Sequence, residues 1–207
     1  MNKQGQHTIN TAVVILAGGQ SKRMGFPKLL LPFDDGTSFV EHIILQYKQV
    51  VNGKIILVVN ESVWNEYSSY FEQIKDVDIV LNKSPELGRT YSIQLGISKL
   101  NTNKVFIQNT DNPFVSADML NAMIALAPDN GYVSPKIFTK GGHPVLLCGN
   151  AVKEVRAADR NLSLKNILAN QLRVDWQTND PSVLVNIDTP EHYKLYFPNL
   201  NLQFIHS

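Results

Sequence analysis

The chain contains 207 residues, of which 43% are hydrophobic and 18% charged, and its formal net charge is +1. This length predicts one domain over residues 1–207, with a core at about 12–197, and the composition excludes an intrinsically disordered protein. A nucleic-acid-binding protein would usually carry a basic excess, so the balanced charge disfavours that class. The single cysteine, Cys148, excludes a disulfide framework or a cysteine-rich zinc site built within one chain.

The first ten residues lack the apolar core of a signal peptide. No stretch approaches the roughly 20 apolar residues needed to span a bilayer. We therefore expect a cytoplasmic protein without a membrane partner.

Apolar runs alternate with helical patterns through the first half of the chain. The runs show no polar alternation, which is typical of parallel strands covered on both faces. The predicted strands are Ala12–Leu16, Ile55–Val59, Asp78–Leu81 and Lys104–Gln108. The predicted helices are Thr37–Val50, a helix capped by Ser62 that ends at Phe71, Thr90–Leu100, and Ala117–Ala127 capped by Ser116.

The second half is less regular. Two apolar stretches, Tyr132–Phe138 and Pro144–Cys148, flank the sequence TKGGH and predict a β-hairpin. A helix is predicted over Asn161–Gln171, a strand over Leu184–Ile187 and a last helix over Pro190–Phe197. The alternation predicts an α/β fold, a Rossmann-like three-layer αβα arrangement with a mostly parallel sheet. Such folds bind ligands beyond the carboxyl ends of their strands.

The first predicted strand leads directly into a glycine-rich, cationic loop, in the stretch AVVILAGGQSKRMGFPK. Glycines let the backbone approach an anion, and successive N–H groups can surround it. Arg23 can bind phosphate as a fork and Lys28 as a point charge. The loop matches neither G-x-x-x-x-G-K-[ST] nor G-x-G-x-x-G, which disfavours a dinucleotide-dependent oxidoreductase. A solvated surface loop is the alternative interpretation.

The segment LAGGQSKRMGFPK resembles the signature L-A-[AG]-G-x-S-x-R-M-G-x-P-K of MobA-like nucleotidyltransferases, which include the molybdenum-cofactor cytidylyl- and guanylyltransferases. Every fixed position is present, at Leu16, Ala17, Gly18, Gly19, Ser21, Arg23, Met24, Gly25, Pro27 and Lys28. The resemblance implies a nucleotide-diphospho-sugar transferase type of fold. It also implies that this loop binds a nucleoside triphosphate, with Arg23 and Lys28 as the catalytic residues that contact its phosphates.

Two aspartates follow predicted strands, Asp111 in FIQNTDNPF and Asp188 in VLVNIDTPEHY. Mg²⁺ typically takes one or two protein carboxylates together with phosphate oxygens. Each aspartate also has a structural interpretation, a turn for Asp111 and a helix cap at Asp188 or Thr189. The D-x-P and D-T-P-E elements resemble those of the family, which implies that both aspartates bind Mg²⁺.

Two more segments extend the resemblance, which covers about Val13 to Tyr193. The segment NKSPELGRTYSIQLGI resembles the region that closes on the base and implies nucleotide-binding roles for Asn82, Gly88 and Ser92; it leaves Arg89 and Tyr91 without a role. The segment TKGGHPVLL resembles R-G-H-P-V-L near the acceptor site, which implies that Gly142 and His143 contact the acceptor. Gly141 stands where the family often has arginine.

The implied reaction is nucleotidyl transfer from a nucleoside triphosphate to a small phosphorylated acceptor such as molybdopterin, with release of pyrophosphate. The segments PKLLLP and GHPVLL favour CTP, whereas Gly18 favours GTP. The alternatives are a sugar-1-phosphate nucleotidyltransferase and a regulatory protein that binds nucleotide without turnover.

Overall fold

The structure, a computed structural model, describes residues 10–19, 21 and 23–200. The amino-terminal residues considered for a signal peptide therefore lie almost entirely outside the described residues. Within the described residues, no helix combines the length and the apolar character that crossing a membrane requires.

The described strands form one mixed sheet. They are β1 (Thr11–Ala17), β2 (Ile55–Asn60), β3 (Asp78–Asn82), β4 (Lys104–Asn109), β5 (Gly131–Ile137), β6 (Lys140–Gly141), β7 (Val145–Cys148) and β8 (Arg173–Gln177). The order is β3-β2-β1-β4-β7-β5-β6, with β8 paired to β5. The β3-β2-β1-β4 half is parallel throughout, and β7 pairs antiparallel with both β4 and β5. The predicted, mostly parallel sheet and the β5–β7 hairpin are confirmed.

Helices cover both faces of this sheet. They are α1 (Phe39–Lys48), α2 (Glu61–Phe71), α3 (Gly88–Ser98), α4 (Ala117–Ala125), α5 (Asn150–Ala157), α6 (Leu164–Ile167) and α7 (Pro190–Tyr196). Alternate residues of β1 and β2 point to opposite faces. One set packs with α1, α2 and α4, and the other with α3, α5 and α6. The three-layer αβα arrangement is therefore confirmed.

A third apolar cluster lies beside the sheet and includes α7. Met24 of the glycine-rich loop is buried there with Ile187 and Tyr193, and the Tyr193 hydroxyl donates to the Pro32 carbonyl at 2.9 Å. This cluster joins the loop to the carboxyl-terminal segment. The two parts of the chain that contain Arg23 and Asp188 are thereby brought together.

Several sequence predictions for the second half were wrong. Residues 184–187 do not form a strand, because a 3-10 turn at Pro181–Leu184 precedes them and their backbone groups bond to a loop. The helix predicted at 161–171 is restricted to α6, and α5 and β8 were not predicted. In α2, Asn60 rather than Ser62 occupies the cap position. The predicted cap at Ser116 is confirmed, since its hydroxyl accepts from the Met119 N–H at 3.3 Å.

Candidate active site

The carboxyl ends of the parallel strands surround a cavity of about 320 Å³. Parallel strands end at one edge of a sheet, so the loops that follow β1 and β4 meet there. The lining residues that the sequence analysis had selected are Leu16, Ala17, Gly18, Gly19, Ser21, Lys28, Gly88, Ser92 and Asp111. The cavity thus collects most of the predicted nucleotide-binding residues in one place.

A compact turn holds the glycine-rich loop over the cavity. The Ser21 carbonyl accepts from the N–H groups of Met24 (2.9 Å) and Gly25 (3.0 Å), and its hydroxyl accepts from the Lys28 N–H at 3.2 Å. Gly25 has φ +72°, a left-handed conformation that glycine adopts without strain. The turn therefore sets the direction in which Lys28 leaves the loop.

Lys28 joins the two aspartates predicted to bind metal. Its ammonium donates to Asp188 Oδ1 and lies 3.7 Å from Asp111 Oδ2, and its side chain is only 14% exposed. Arg23 Nη2 lies 3.3 Å from Asp188 Oδ2, with its side chain 71% exposed. Two cations and two carboxylates thus meet beside the cavity.

Buried hydrogen bonds bring the two acidic loops together. The Ile187 N–H donates to the Asp111 carbonyl at 2.7 Å, which places the next residue, Asp188, beside Asp111. The Asn112 side chain is fully buried and donates to the carbonyls of Ser182 (3.2 Å) and Val185 (2.5 Å). These bonds link positions some 70 residues apart, so the pairing of the aspartates depends on the tertiary structure.

The two carboxyl groups differ in their electrostatic environment. Burial raises the pKa of Asp111, the charge of Asp188 adds to this, and Lys28 opposes it. The hydrogen bond from Lys28, with the charges of Lys28 and Arg23, lowers the pKa of Asp188. Asp111 Oδ1 is buried and has no hydrogen-bond partner among the described residues. One ionised carboxylate and one buried carboxyl oxygen without a partner therefore lie side by side.

A family model for the MobA-like NTP transferase domain matches residues 13–175, which is most of the chain. The chain belongs to the MobA-like family. As a member, it is a nucleotidyltransferase, an enzyme that transfers nucleotidyl groups.

Curated MobA-like relatives resemble the chain over nearly their whole length. It is 23% identical over 180 residues to the molybdenum cofactor cytidylyltransferase of Escherichia coli K12, covering 87% of this chain and 92% of that protein. A probable molybdenum cofactor guanylyltransferase of Carboxydothermus hydrogenoformans is 24% identical over 196 residues, covering 89% and 94%. The purine catabolism protein PucB of Bacillus subtilis is 29% identical over 203 residues, covering 88% and 93%.

Solved structures share the fold. The structure of Rv0371c from Mycobacterium tuberculosis H37Rv has a TM-score of 0.79 at 18% identity, over 92% of this chain and 98% of that one. A manganese complex of the same mycobacterial protein has a TM-score of 0.74 at 16% identity, over 92% and 100%. The MobA-like chain thus has the nucleotidyltransferase fold that its signature implied.

In this MobA-like protein, two asparagines form hydrogen bonds with residues that line the cavity. Asn60 at the end of β2 donates to the Gly18 carbonyl at 2.6 Å, and a Cβ on Gly18 would lie 2.9 Å from Asn60 Oδ1. Asn82 is fully buried and donates to Ser92 Oγ at 3.0 Å, so it contacts a lining residue without lining the cavity. Gly18 therefore has a packing reason to lack a side chain.

The predicted acceptor residues, Gly142 and His143, lie between β6 and β7. The His143 N–H donates to the Val183 carbonyl at 3.0 Å, and a Cβ on Gly142 would meet that oxygen at 2.5 Å. Burial and the nearby charge of Arg89 lower the pKa of His143 to about 4. His143 is therefore neutral at physiological pH, and neither residue lines the cavity.

Several residues of the site were not assigned from the sequence. Asn60 and Asn109 are the last residues of β2 and β4, and Arg89 lies in the first turn of α3, all at this edge of the sheet. A polar residue that ends a buried strand was the available signal for Asn60 and Asn109. The guanidinium of Arg89 donates to Asn109 Oδ1 at 2.9 and 3.3 Å, and both residues line the cavity.

Proposed function

We propose that this MobA-like enzyme transfers a nucleoside monophosphate from CTP to a small phosphorylated acceptor and releases pyrophosphate. GTP is the second candidate nucleotide. Molybdopterin is the acceptor that the names of the curated relatives suggest, since both cytidylyl- and guanylyltransferases of the molybdenum cofactor are among them.

The observation that supports this proposal most directly is the convergence of Arg23, Lys28, Asp111 and Asp188 beside a cavity lined by the glycine-rich loop. Triphosphate binding needs backbone N–H groups and cations close together. Metal-assisted phosphoryl chemistry needs carboxylates at the same point. Both requirements are met by residues on three separate segments.

In the proposed reaction an acceptor phosphate oxygen attacks the α-phosphorus in line. The bond from that phosphorus to the bridging oxygen breaks, and its electron pair leaves with pyrophosphate. Lys28 holds the triphosphate at the attacked phosphoryl group, and Arg23 stabilises charge on the departing pyrophosphate. Positioning and charge stabilisation contribute most of the rate enhancement in such reactions. An ionised acceptor phosphate needs no strong general base.

Asp111 and Asp188 are the residues that would hold Mg²⁺. The described residues contain no group of three or more acidic, histidine or cysteine side chains suited to a metal. Two carboxylates nevertheless fit Mg²⁺, which takes one or two of them and completes its shell with water and phosphate oxygens. The buried Asp111 oxygen without a partner fits this role. When bound, the ion would neutralise charge on the phosphates.

Lys28 and Arg23 must exchange partners when substrate binds. Both cations contact Asp188 in the structure. Phosphate oxygens would compete with Asp188 for these two cations, and a released Asp188 carboxylate would be available to hold a metal ion. We therefore expect metal and triphosphate to bind with positive cooperativity.

The preference for CTP rests on the two segments PKLLLP and GHPVLL. The opposing argument, that Gly18 favours GTP, is weakened by its contact with Asn60. A Cβ on Gly18 would lie 2.9 Å from Asn60 Oδ1, so the packing around this loop favours glycine independently of the nucleotide.

A thermal-shift panel of CTP, GTP, ATP and UTP, each with Mg²⁺, tests the proposal first. A ligand at about 100 times its Kd adds roughly 2.7 kcal/mol, which raises the Tm of a domain of this size by several degrees. CTP should give the largest shift. The absence of a shift with every triphosphate would overturn the proposal.

Pyrophosphate release with molybdopterin, and with sugar phosphates for comparison, tests turnover. Lys28→Met should lower release about 100-fold, as the loss of one charge-stabilising group does in other enzymes. The matched control is Lys54→Met, since Lys54 pairs with Asp78 on the surface away from the cavity. Asp111→Asn should abolish the Mg²⁺-dependent release of pyrophosphate. Binding without any release would instead identify a regulatory nucleotide-binding protein.

A further inference from the structure

Arg89 is a cation of the cavity that the proposed triphosphate contacts do not use. It lies in the first turn of α3, whose amino-terminal residues Gly88 and Ser92 also line the cavity. Its side chain reaches the end of β4, where it donates from Nε and Nη2 to Asn109 Oδ1. Arg89 and the glycine-rich loop that contains Lys28 therefore lie on different sides of the cavity.

Within the described part of the chain, Arg89 has no carboxylate as a direct ion-pair partner. Lys28 and Arg23 both form ion pairs with Asp188, and Lys28 also pairs with Asp111. Among residues 10–19, 21 and 23–200, Arg89 forms no ion pair, and its hydrogen bonds go to a neutral amide. Two carboxylates thus compensate two cations, and Arg89 adds a further positive charge on the cavity wall.

The surroundings of Arg89 connect the metal carboxylate with the hairpin. Its charge acts on the Asp111 carboxyl on one side and on the His143 ring on the other. His143 Nδ1 is buried, and no residue that the structure describes forms a hydrogen bond with it. An anion bound by Arg89 would therefore lie close to Asp111 and to the segment that the sequence resemblance connects with the acceptor.

We propose that Arg89 binds the phosphate group of the acceptor and holds it against the α-phosphorus of the triphosphate. This assignment rests on the proposed nucleotidyl transfer. Two anions must approach one another in that reaction, so the acceptor phosphate needs a cation besides those that bind the triphosphate. A guanidinium is suited to this because it donates two parallel hydrogen bonds to a phosphate. Asn109 orients the guanidinium by accepting from Nε and Nη2. The two N–H groups of Nη1 and the second N–H of Nη2 are left, and they can form the two parallel bonds to phosphate.

The test measures binding of phenyl phosphate, a simple phosphomonoester, to the full chain loaded with Mg²⁺ and α,β-methylene CTP, which cannot release pyrophosphate. If another nucleotide gives the largest thermal shift, its α,β-methylene analogue is used instead. Calorimetric titration of Arg89→Gln should show phenyl phosphate binding weakened at least tenfold, with the affinity for the triphosphate analogue within twofold of wild type. Arg89→Lys keeps the charge but loses the two parallel donors. Its affinity for phenyl phosphate should lie between those of the wild type and Arg89→Gln.

Arg160→Gln is the matched control, because Arg160 is exposed near the same end of α3 but does not line the cavity. It should bind both ligands as the wild type does. Unchanged phenyl phosphate binding in Arg89→Gln would overturn the assignment. Equal weakening of both ligands would also overturn it, because Arg89 would then act on the triphosphate.

The outcome also separates this inference from the proposed function. A wild-type chain that binds the triphosphate analogue but no phenyl phosphate would contradict only the role of Arg89. A wild-type chain that binds no triphosphate would contradict the proposed function itself. Thermal unfolding without ligand shows whether Arg89→Gln is folded, and Arg89→Lys supplies the comparison if it is not.

Discussion

At the scale of single residues, the site depends on cations and carboxylates that neutralise one another before any ligand binds. Lys28 is nearly buried, and a buried ammonium is costly unless it is paired. Its hydrogen bond to Asp188 and its proximity to Asp111 meet this need. The same residues are the proposed ligands of phosphate and metal. The site can therefore exchange internal ion pairs for contacts with substrate.

His143 makes a pH dependence testable at this scale. Its pKa of about 4 lies below the ordinary value of 6.5, so the unfolded chain binds a proton more readily than the folded chain between these values. Stability should fall as the pH decreases through this window, by about 2 kcal/mol from pH 7 to pH 5. In His143→Asn this contribution should disappear. Urea denaturation of both proteins at the two pH values measures it.

An identical loss of stability in the wild type and in His143→Asn would contradict this expectation. It would mean that the imidazole accepts a proton equally well in the folded chain. The direction of the effect follows from burial and from the nearby charge of Arg89, both of which disfavour the imidazolium form.

At the scale of elements, α3 positions one wall of the cavity by packing closely on the sheet. Gly96 faces β1 and β2, and a Cβ there would lie 2.4 Å from a methyl carbon of Val14 and 3.1 Å from one of Val58. The absence of a side chain lets the helix approach the strands. The residues of its first turn, including Gly88 and Arg89, depend on this approach for their position.

Gly96→Ala tests the packing of α3. Alanine favours a helix by about 1 kcal/mol over glycine, whereas overpacking a core costs about 1–3 kcal/mol, so we expect a net loss of about 1 kcal/mol. The loss should be smaller when Val14→Ala is also present, because the contact is then removed. A double-mutant cycle by urea denaturation measures the coupling. Ser98→Ala, on the exposed end of the same helix, is the control and should not couple with Val14→Ala.

In the first half of the chain, most predicted ends of strands and helices lie within about two residues of the observed ends. Strands such as β1 and β2 are buried on both faces, so their sequences are continuous apolar runs. The lack of polar alternation and the length of each run identify them as strands. The segment 184–187 is also mostly apolar but does not form a strand. Asp180 caps a turn there by accepting from the Ser182 N–H, and the Ile187 N–H bonds to Asp111 instead of to a strand.

At the scale of the whole molecule, a buried chain of side chains ties the carboxyl-terminal segment to the core. The Tyr47 hydroxyl on α1 donates to Gln108 Oε1 at 3.0 Å, and Gln108 Nε2 donates to the carbonyls of Asn109 and Asn112. Asn112 then donates to Ser182 and Val185. Through these bonds the position of Asp188 depends on a helix more than a hundred residues earlier in the chain.

Asn112→Ala should break this connection. It leaves two partly buried carbonyl groups without their donor, and an unsatisfied buried polar group costs about 1–3 kcal/mol. We expect a lower free energy of unfolding and a smaller thermal shift with Mg²⁺ and triphosphate, because fewer hydrogen bonds then hold the segment of Asp188 beside Asp111. Asn101→Ala, at an exposed position, is the control. Equal effects of the two substitutions would contradict the proposed linkage.

The sequence by itself determined the α/β class, the parallel half of the sheet and the loop that lies at its edge. These features depend on local patterns, which are unbroken apolar runs and glycines followed by cations. The match to a family signature added the fold type and the class of reaction.

Only the tertiary structure decided which of these residues meet. The pairing of Lys28 with Asp188, of Asn60 with Gly18 and of Arg89 with Asn109 joins segments between 20 and 160 residues apart. No local pattern encodes such contacts, because they depend on the strand order and on how the carboxyl-terminal segment packs beside the sheet. Arg89 illustrates the difference: its sequence context assigned it no role, and its place on the cavity wall makes it the proposed acceptor ligand.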